Sequence, residues 1–531
     1  MEAIERGKAE GLEETGASSA GDVDFLVRAH RARAVERALA GEFDGSEAEA
    51  RAALGLRPDD VESMIALGVA VWRLGRHDEA EAIYRRAERR HPGDYRIATN
   101  LGLALMVGER RDEARAWFER ALELEPSAFH AMMNLGVLVS DRGDFDGASV
   151  LLERALEGMP GGTEILQSLA MHRIRQARWP EAADLYQRAL AATPDSPEIH
   201  RNLGYCLLAL GDFARGWGEH EWRLRCTPHP GVQVNRPLWA GDDLSERTIL
   251  LHFEQGFGDT LQFIRYARLV KERGGRVVVL CQPPLVRLIA RCEGVDLAFD
   301  GLTGFEPQCH VQAPLLSLPH RLGTTVATIP ARVPYLFAAP AQVAHWRTVI
   351  AGLRNSAATD CDARRPRPFL VGVAWQGRPT HRADRWRSFP LERLAPVAAV
   401  PGVRLLSVQV DHGVEQLAAL GGRFRVDEIP GRLGRDFSET AAILPELDLV
   451  IAPDSALAHL AGGMGVPVWV AHSSAADWRW FAGREDTPWY PTMRLFRQQR
   501  LDDWDGVFAR MAEALAPLIE RRDRASDSGA A

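Results

Sequence analysis

A period of 34 residues runs without slippage through the first 200 positions of this 531-residue chain, and it limits what that half can fold into. Leu67, Leu101, Leu135, Leu169 and Leu203 recur at this spacing, each followed by a small residue: Gly68, Gly102, Gly136, Ala170 and Gly204. The same register repeats Ala80, Ala114, Ala148 and Ala182, then the bulky set Tyr84, Phe118, Leu152 and Tyr186. Ala53, Ala87, Ala121, Ala155 and Ala189 follow, and Pro58, Pro92, Pro126, Pro160 and Pro194 close the units. The pattern predicts stacked pairs of antiparallel helices: small residues let the helices approach, the bulky residue fills the gap, and proline ends the second helix. Chance gives one such unit, not five in phase. A degenerate unit opens the array near Asp24, and a sixth helix pair closes it at about Gly204 to Arg225, with Gly216 and His220 at the small and aromatic positions. An atypical last unit is expected where a solenoid docks onto something else.

These residues resemble the tetratricopeptide repeat, which implies a protein or peptide ligand. The position before the Leu-Gly pair is Asn100, Asn134 and Asn202 in three units, and Ala66 and Ser168 in the others. In such superhelices this position lies on the concave surface, where an asparagine offers donor and acceptor groups to a peptide backbone. The ladder resembles that of the protein O-GlcNAc transferases, which carry repeats ahead of a catalytic half. The alternative is that these asparagines merely solvate or cap helices.

Hydrophobic residues make up 46% and charged residues 26%, enough for every domain to bury a core. The net charge of −8 leaves no basic excess for nucleic acid or an anionic membrane. Lysine occurs only at Lys8 and Lys271; the arginine skew fits a GC-rich genome. The six cysteines form no C-x-x-C pair and no zinc-spaced cluster, so a reduced, cytoplasmic protein is expected. The N-terminal residues lack the pattern of a signal peptide, and no stretch of about 18 residues is apolar, so a soluble chain with a disordered tail over 1–23 is expected. The repeat superhelix is assigned to 24–226.

Beyond about Pro230 short apolar runs alternate with helical patterns, predicting parallel sheets covered by helices. The expectation is α/β: two Rossmann-like lobes over 227–354 and 369–531, joined by a polar linker at 355–368. In the first lobe Thr248 to Phe253 reads as a strand, Glu254 to Asp259 as a glycine-bearing turn, Thr260 to Arg273 as a helix and Arg276 to Cys281 as the next strand. Ligands of α/β proteins bind at such strand-to-helix turns, so Glu254, Gly256, Gly258 and Asp259 are candidates there, the glycines permitting close approach of a substrate. In the second lobe strands are expected at Phe369 to Trp375, Val403 to Gln409, Asp448 to Ala452 and Val466 to Val470. A loop with four arginines, Gly377 to Ser388, follows the first of these, and Asp454, Ser455 and His459 follow the third. A last helix, Trp504 to Arg522, is expected to pack back across the lobes. Asp360 and Asp362 form an Asp-x-Asp, but inside the linker, so no metal site is expected.

Gly258-Asp259, with Asp454, Ser455, His459, Leu460 and Ala461 in a D-S-x-x-x-H-L-A arrangement, resembles the ADP-heptose lipopolysaccharide heptosyltransferases, enzymes of glycosyltransferase-B fold. The chain is more similar still to repeat-fused bacterial glycosyltransferases, with W-x-G at Trp375 and Gly377, D-x-x-R-S at Asp384, Arg387 and Ser388, then Asp477 to Trp480, Pro488 to Pro491 and Leu495 to Gln498. The resemblance spans Asp24 to Gln498. It implies that Asp259 is the general base facing the acceptor, and that the second lobe holds a nucleotide-sugar co-substrate without a metal or other cofactor. Arg387 matches the phosphate-contacting base, with Arg385 its neighbour; Asp454, Ser455 and His459 match the donor-site turn. Ala456 stands where the family usually has glycine, and no lysine or glycine follows Gln409.

The chemistry is consistent with these roles. An attacking hydroxyl loses its proton to a carboxylate in reach, while cations and helix N-termini stabilise the departing phosphate. His459 also fits a core histidine, the arginine loop a solvated surface, and Trp478, Trp480, Trp489 and Tyr490 packing rather than sugar stacking. The expected activity is sugar transfer to a hydroxyl of a protein held by the repeats, flagellin being one acceptor that the resemblance suggests. The rivals are addition to a glycolipid, as heptosyltransferases do, and a non-catalytic repeat scaffold.

Overall fold

The computed structural model describes residues 20–228, 231–301, 308–355, 367–381, 384–429, 434, 436–474 and 477–528. Most of the expected tail (1–19) and linker (356–366), including the Asp-x-Asp, lie outside them. The chain divides into two compact units at His172/Arg173.

The first unit is helical. Helix α1 (Ala20–Leu39) starts four residues earlier than the expected array, and α2 (Phe43–Leu56) completes the degenerate pair. The next pairs are α3 (Val61–Arg73) with α4 (His77–Arg90), α5 (Tyr95–Val107) with α6 (Arg111–Leu124), and α7 (Phe129–Asp141) with α8 (Phe145–Gly158). Helix α9 (Thr163–Arg175) crosses the division. The 34-residue period has a steric cause: a Cβ on Gly102 would lie 2.6 Å from the Phe118 ring, and one on Gly136 would lie 2.8 Å from Leu152. At Gly102 and Gly136 the missing Cβ makes room for the bulky side chain of the same pair. Asp60, Asp94 and Asp144 cap α3, α5 and α8 by accepting backbone N–H bonds from Ser63, Arg96 and Gly147. A second periodic element went unread in the sequence. Arg76 and Arg110 open the second helices, bind Glu79 and Glu113 three residues on, and reach back to Glu47 and Glu81 of the preceding unit.

The second unit opens with α10 (Trp179–Ala192), α11 (Pro197–Ala209) and α12 (Phe213–Glu221). Two wholly parallel sheets follow. The first holds β1 (Thr248–His252), β2 (Arg276–Leu280), β3 (Leu297–Phe299) and β4 (Val311–Pro314) in the order β3-β2-β1-β4. The second holds β5 (Phe369–Val373), β6 (Val403–Ser407), β7 (Val426–Glu428), β8 (Leu449–Pro453), β9 (Val468–His472) and β10 (Met493–Arg497) in the order β10-β9-β8-β5-β6-β7. β5, β8 and β9 are buried along their whole length, as parallel strands covered on both faces must be. One cover is the terminal helix Trp504–Ser528, whose Val507, Phe508, Met511 and Leu515 join Phe369, Val371 and Trp375 in one core.

Two expectations change. The continuous helix over Thr260 to Arg273 is broken into α13 (Phe257–Phe263), a 3₁₀ turn at Ile264–Tyr266 and a short helix at Ala267–Lys271. The tightened turn sends Arg265 inward, where its guanidinium donates to the Gln262 and Trp489 carbonyls and to the Tyr335 hydroxyl. Helix α14 (Pro340–Asn355), expected in the first lobe, instead belongs with the second sheet. Arg354 bonds Asp448, and Asp448 also accepts the β5 amide of Leu370.

The last helix pair is continuous with the sheets. The Trp217 indole N–H donates to the Thr324 carbonyl, and Ala482 donates its amide to Ala209. Phe213 stacks on Phe481 at 5.7 Å, and Trp217 meets Trp478 edge-on at 5.5 Å. At the altered position of the repeat pattern, His220 faces Trp478 at 5.7 Å, and a Cβ on Gly204 would lie 2.7 Å from the His220 backbone, so helix approaches helix directly.

Candidate active site at the carboxyl ends of the sheets

Parallel strands deliver the strand-to-helix turns of a sheet to one edge, and the candidate residues lie in the turn after β1 of the first sheet and those after β5, β8 and β9 of the second. After β1 the chain turns through Gly256 into α13, with Asp259 as its third residue. The Asp259 carboxylate is held at both oxygens: Oδ2 accepts the Gly256 amide at 2.8 Å and Oδ1 accepts the Arg479 guanidinium at 2.5 Å. Arg479, 220 residues away in the turn after β9, also bonds Asp477 at 2.9 Å. It rests over the Trp478 ring at 4.4 Å. Sequence reasoning passed over Arg479 and Asp477 as candidates, and the only signal for them was their place in the D-W-R-W segment.

After β8, Asp454 and Ser455 lead into α15 (Ala456–Gly463), where Ser455 is the N-cap in extended conformation and its hydroxyl makes no capping bond. After β5, the W-x-G and D-x-x-R-S motifs form one structural clasp. Asp384 Oδ1 accepts the Ser388 hydroxyl at 2.9 Å and Arg387 Nε at 3.3 Å, while Ser388 Oγ accepts the Gly377 amide at 2.9 Å. Gln409 fastens this loop from β6, accepting the amides of Trp375 and Gln376 and donating to the Gln376 and His412 carbonyls.

Burial raises the Asp259 pKa from its ordinary value, against the pull of Arg479, so the group is a stronger base than a free aspartate. Burial and the nearby Asp477 push Asp454 up to about 6, with Arg387 opposing. Burial works the same way on Asp477, but the Arg479 charge and N–H groups win and hold it low. Burial drives His459 down to about 3, reinforced by Arg479, so its imidazole is neutral at physiological pH. The turn after β1 thus meets the turn after β9 through Asp259 and Arg479 and approaches the start of α15 at Gly258, with Asp477 and Arg387 close enough to Asp454 to act on its charge.

Several candidates have other roles than expected. His459 is a packed core residue: Nδ1 pairs with the Tyr490 hydroxyl at 2.9 Å and the ring stacks on Trp480 at 5.1 Å. Trp478, Trp480, Trp489 and Tyr490 are buried, as a packing role requires. Glu254 does not line the acceptor turn, because its carboxylate is buried and held bidentately by Arg223 at 3.1 and 2.9 Å. Gly258 admits a histidine rather than a substrate, since a Cβ there would lie 2.8 Å from His459 Cδ2. Gly256 serves as the N-cap whose amide holds Asp259. Arg385 is exposed and stacks on Trp386 at 4.0 Å, apart from the Asp384–Arg387 clasp. Of the ladder, Asn134 is buried, Asn100 is half-buried, and Asn202 lies in the second unit with its Oδ1 facing Arg201.

Because Tyr490 and Trp480 pin His459, the ring cannot yield to an added methyl group. Gly258→Ala is expected to cost about 1–3 kcal/mol of unfolding stability, as overpacking does, measured by urea denaturation. An unchanged midpoint would place slack at this contact.

Among the described residues no helix is long and apolar enough to cross a membrane. Tetratricopeptide repeat models match residues 31–95, and 72–136, 139–201 and 173–216, so the chain carries these repeats. Protein FlbA of Caulobacter vibrioides is 28% identical over 333 residues, covering 58% of this chain and 53% of that protein. The chain thus spans about half the length of this curated relative, and the match is longer than the repeat array. Among solved structures, PilW, a type IV pilus biogenesis factor, is 19% identical over 38% of this chain and 94% of its own, at a TM-score of 0.33. A tetratricopeptide repeat protein of Thermus thermophilus is 22% identical over 34% of this chain and 99% of its own, at 0.32. What the chain contains is a tetratricopeptide repeat solenoid followed by an α/β region of two parallel sheets.

Proposed function

We propose that this chain is a glycosyltransferase of glycosyltransferase-B type that moves a sugar from a nucleotide-activated donor to a hydroxyl group of a protein. The supporting observation is the meeting of Asp259, Arg387, Asp454 and the α15 N-terminus at the carboxyl edge of the sheets. Asp259 takes the proton of the acceptor hydroxyl, its two fixed oxygens holding it in one geometry. Arg387 and the first N–H groups of α15 receive the negative charge that grows on the leaving phosphate. Asp454 stands at the turn that leads into α15, where it fixes the turn or contacts the sugar rather than the phosphate. No metal enters this scheme. The repeats present the acceptor, as tetratricopeptide repeats generally bind proteins, and the reaction runs in the cytoplasm. Flagellin is the most specific acceptor within this reading.

The test is thermal unfolding with UDP, ADP, GDP and CMP in turn. A nucleotide at about 100 times its Kd adds roughly 2.7 kcal/mol to the unit that binds it. One nucleotide is expected to raise the midpoint of the second unit, and Arg387→Ala to abolish that shift. The absence of a shift with all four would favour the scaffold reading, for which the occupancy of both Asp259 oxygens already speaks.

A further inference from the structure

Helix α1 has two apolar faces, and only one of them is used. Val27 and Ala34 are buried on the inner face, whereas Phe25, Val35 and Leu39 are 66%, 49% and 85% exposed on the outer one. At 100° per residue, Phe25, Arg28, Ala29, Ala32, Val35, Glu36 and Leu39 fall within about 60° of the direction of Ala32, the three- and four-residue spacing of a two-helix seam. Arg28, Ala32 and Glu36 are also exposed. Among the described residues nothing covers this face.

The order of residues along this face names its occupant. Phe25 and Leu39 stand seven residues either side of Ala32, Arg28 and Glu36 four, and Ala29 and Val35 three. A second copy of the helix, laid antiparallel with Ala32 on its own equivalent, therefore sets Phe25 against Leu39, Ala29 against Val35, and Arg28 against Glu36, each contact made twice. Charge matches as well as shape. Arg31, Arg33 and Arg37 on the same helix pair with Asp60, Glu49 and Glu42, but Arg28 and Glu36 have no ion-pair partner among the described residues. The small Ala32 at the centre lets the two helices approach closely.

We infer that α1 is a homodimerisation helix, joining two copies of this chain as an antiparallel pair across a twofold axis at Ala32. The seam from Phe25 to Leu39 is roughly 21 Å long. A contact of that length lies at the small end of specific interfaces, so association in the micromolar range is expected.

Sedimentation of the full chain between about 1 and 50 μM, the concentrations such a contact populates, tests the assignment. The expected result is a monomer–dimer equilibrium. Arg28→Glu sets two carboxylates opposite each other and Glu36→Arg sets two guanidinium groups opposite each other; each is expected to weaken the dimer at least about 10-fold. The double variant R28E/E36R recreates both pairs with reversed sign and is expected to restore affinity to within about 3-fold. Both positions are exposed, and an unchanged helical circular dichroism spectrum excludes misfolding. A monomer at every concentration, or a dimer indifferent to both single reversals, would overturn the inference. So would dimerisation that appears only after deletion of residues 2–19, because the chain's own N-terminal segment would then be the occupant.

Discussion

Asp259→Asn is expected to lower sugar transfer by about 10²- to 10⁴-fold, the usual worth of a positioned general base, while nucleotide binding persists. Asparagine keeps the size of the side chain and can still accept the Gly256 amide, but it cannot take a proton. On the proposed function, the unsubstituted protein should gain activity as pH rises through the Asp259 pKa, because only the ionised form acts as base. Burial places that acidic limb above the ordinary aspartate value of about 3.9. The variant should lose this limb. Turnover within about 3-fold of the native rate, with product verified, would remove Asp259 from the mechanism.

Arg223→Ala carries the largest expected cost in stability, about 3–5 kcal/mol of the second unit, read from chemical denaturation. Arg223 is 1% exposed and its guanidinium serves Glu254, Glu221 and Ser317 together. Removing it strands the fully buried Glu254 carboxylate, and desolvation of that unpaired charge sets the cost. Pairing Arg223→Ala with Glu254→Gln should recover a large part of the loss, because the stranded charge disappears. A cost under about 1 kcal/mol for Arg223→Ala alone would mean that water reaches Glu254.

What the sequence revealed follows from the range of the interactions. Gly102 and Phe118 sit in one helix pair, so a steric requirement between neighbours is written as a fixed spacing and repeated in each unit. The strands were legible for a similar local reason, since wholly buried parallel strands are short continuous apolar runs. The site was legible only to the level of its turns. Asp259 was found because it follows a strand, but Arg479, which holds it, lies 220 residues away and leaves no spacing to read. Glu254 and Gly258 are legible as residues of the same turn, but not their contacts. Their true contacts, Arg223 and His459, come from other parts of the fold. His459 shows the same limit, because its neutral, stacked state depends on Trp480 and Tyr490 closing over it.

The docking of the last helix pair on Trp478 and Phe481 bears on how a chain like this can diversify. Repeats are commonly gained, lost and exchanged as modules, and the helices up to His172 form a compact unit to which that freedom applies. The pair Pro197–Ala209 and Phe213–Glu221 is excluded from it, because its aromatic residues complete the wall behind the segment that bears Arg479. Recombination at the apparent repeat boundary would strip that wall, whereas recombination one or two repeats earlier would leave it whole. The part of the array free to acquire new protein partners is therefore shorter than the part that looks like repeats, and its last units are inherited with the parallel sheets.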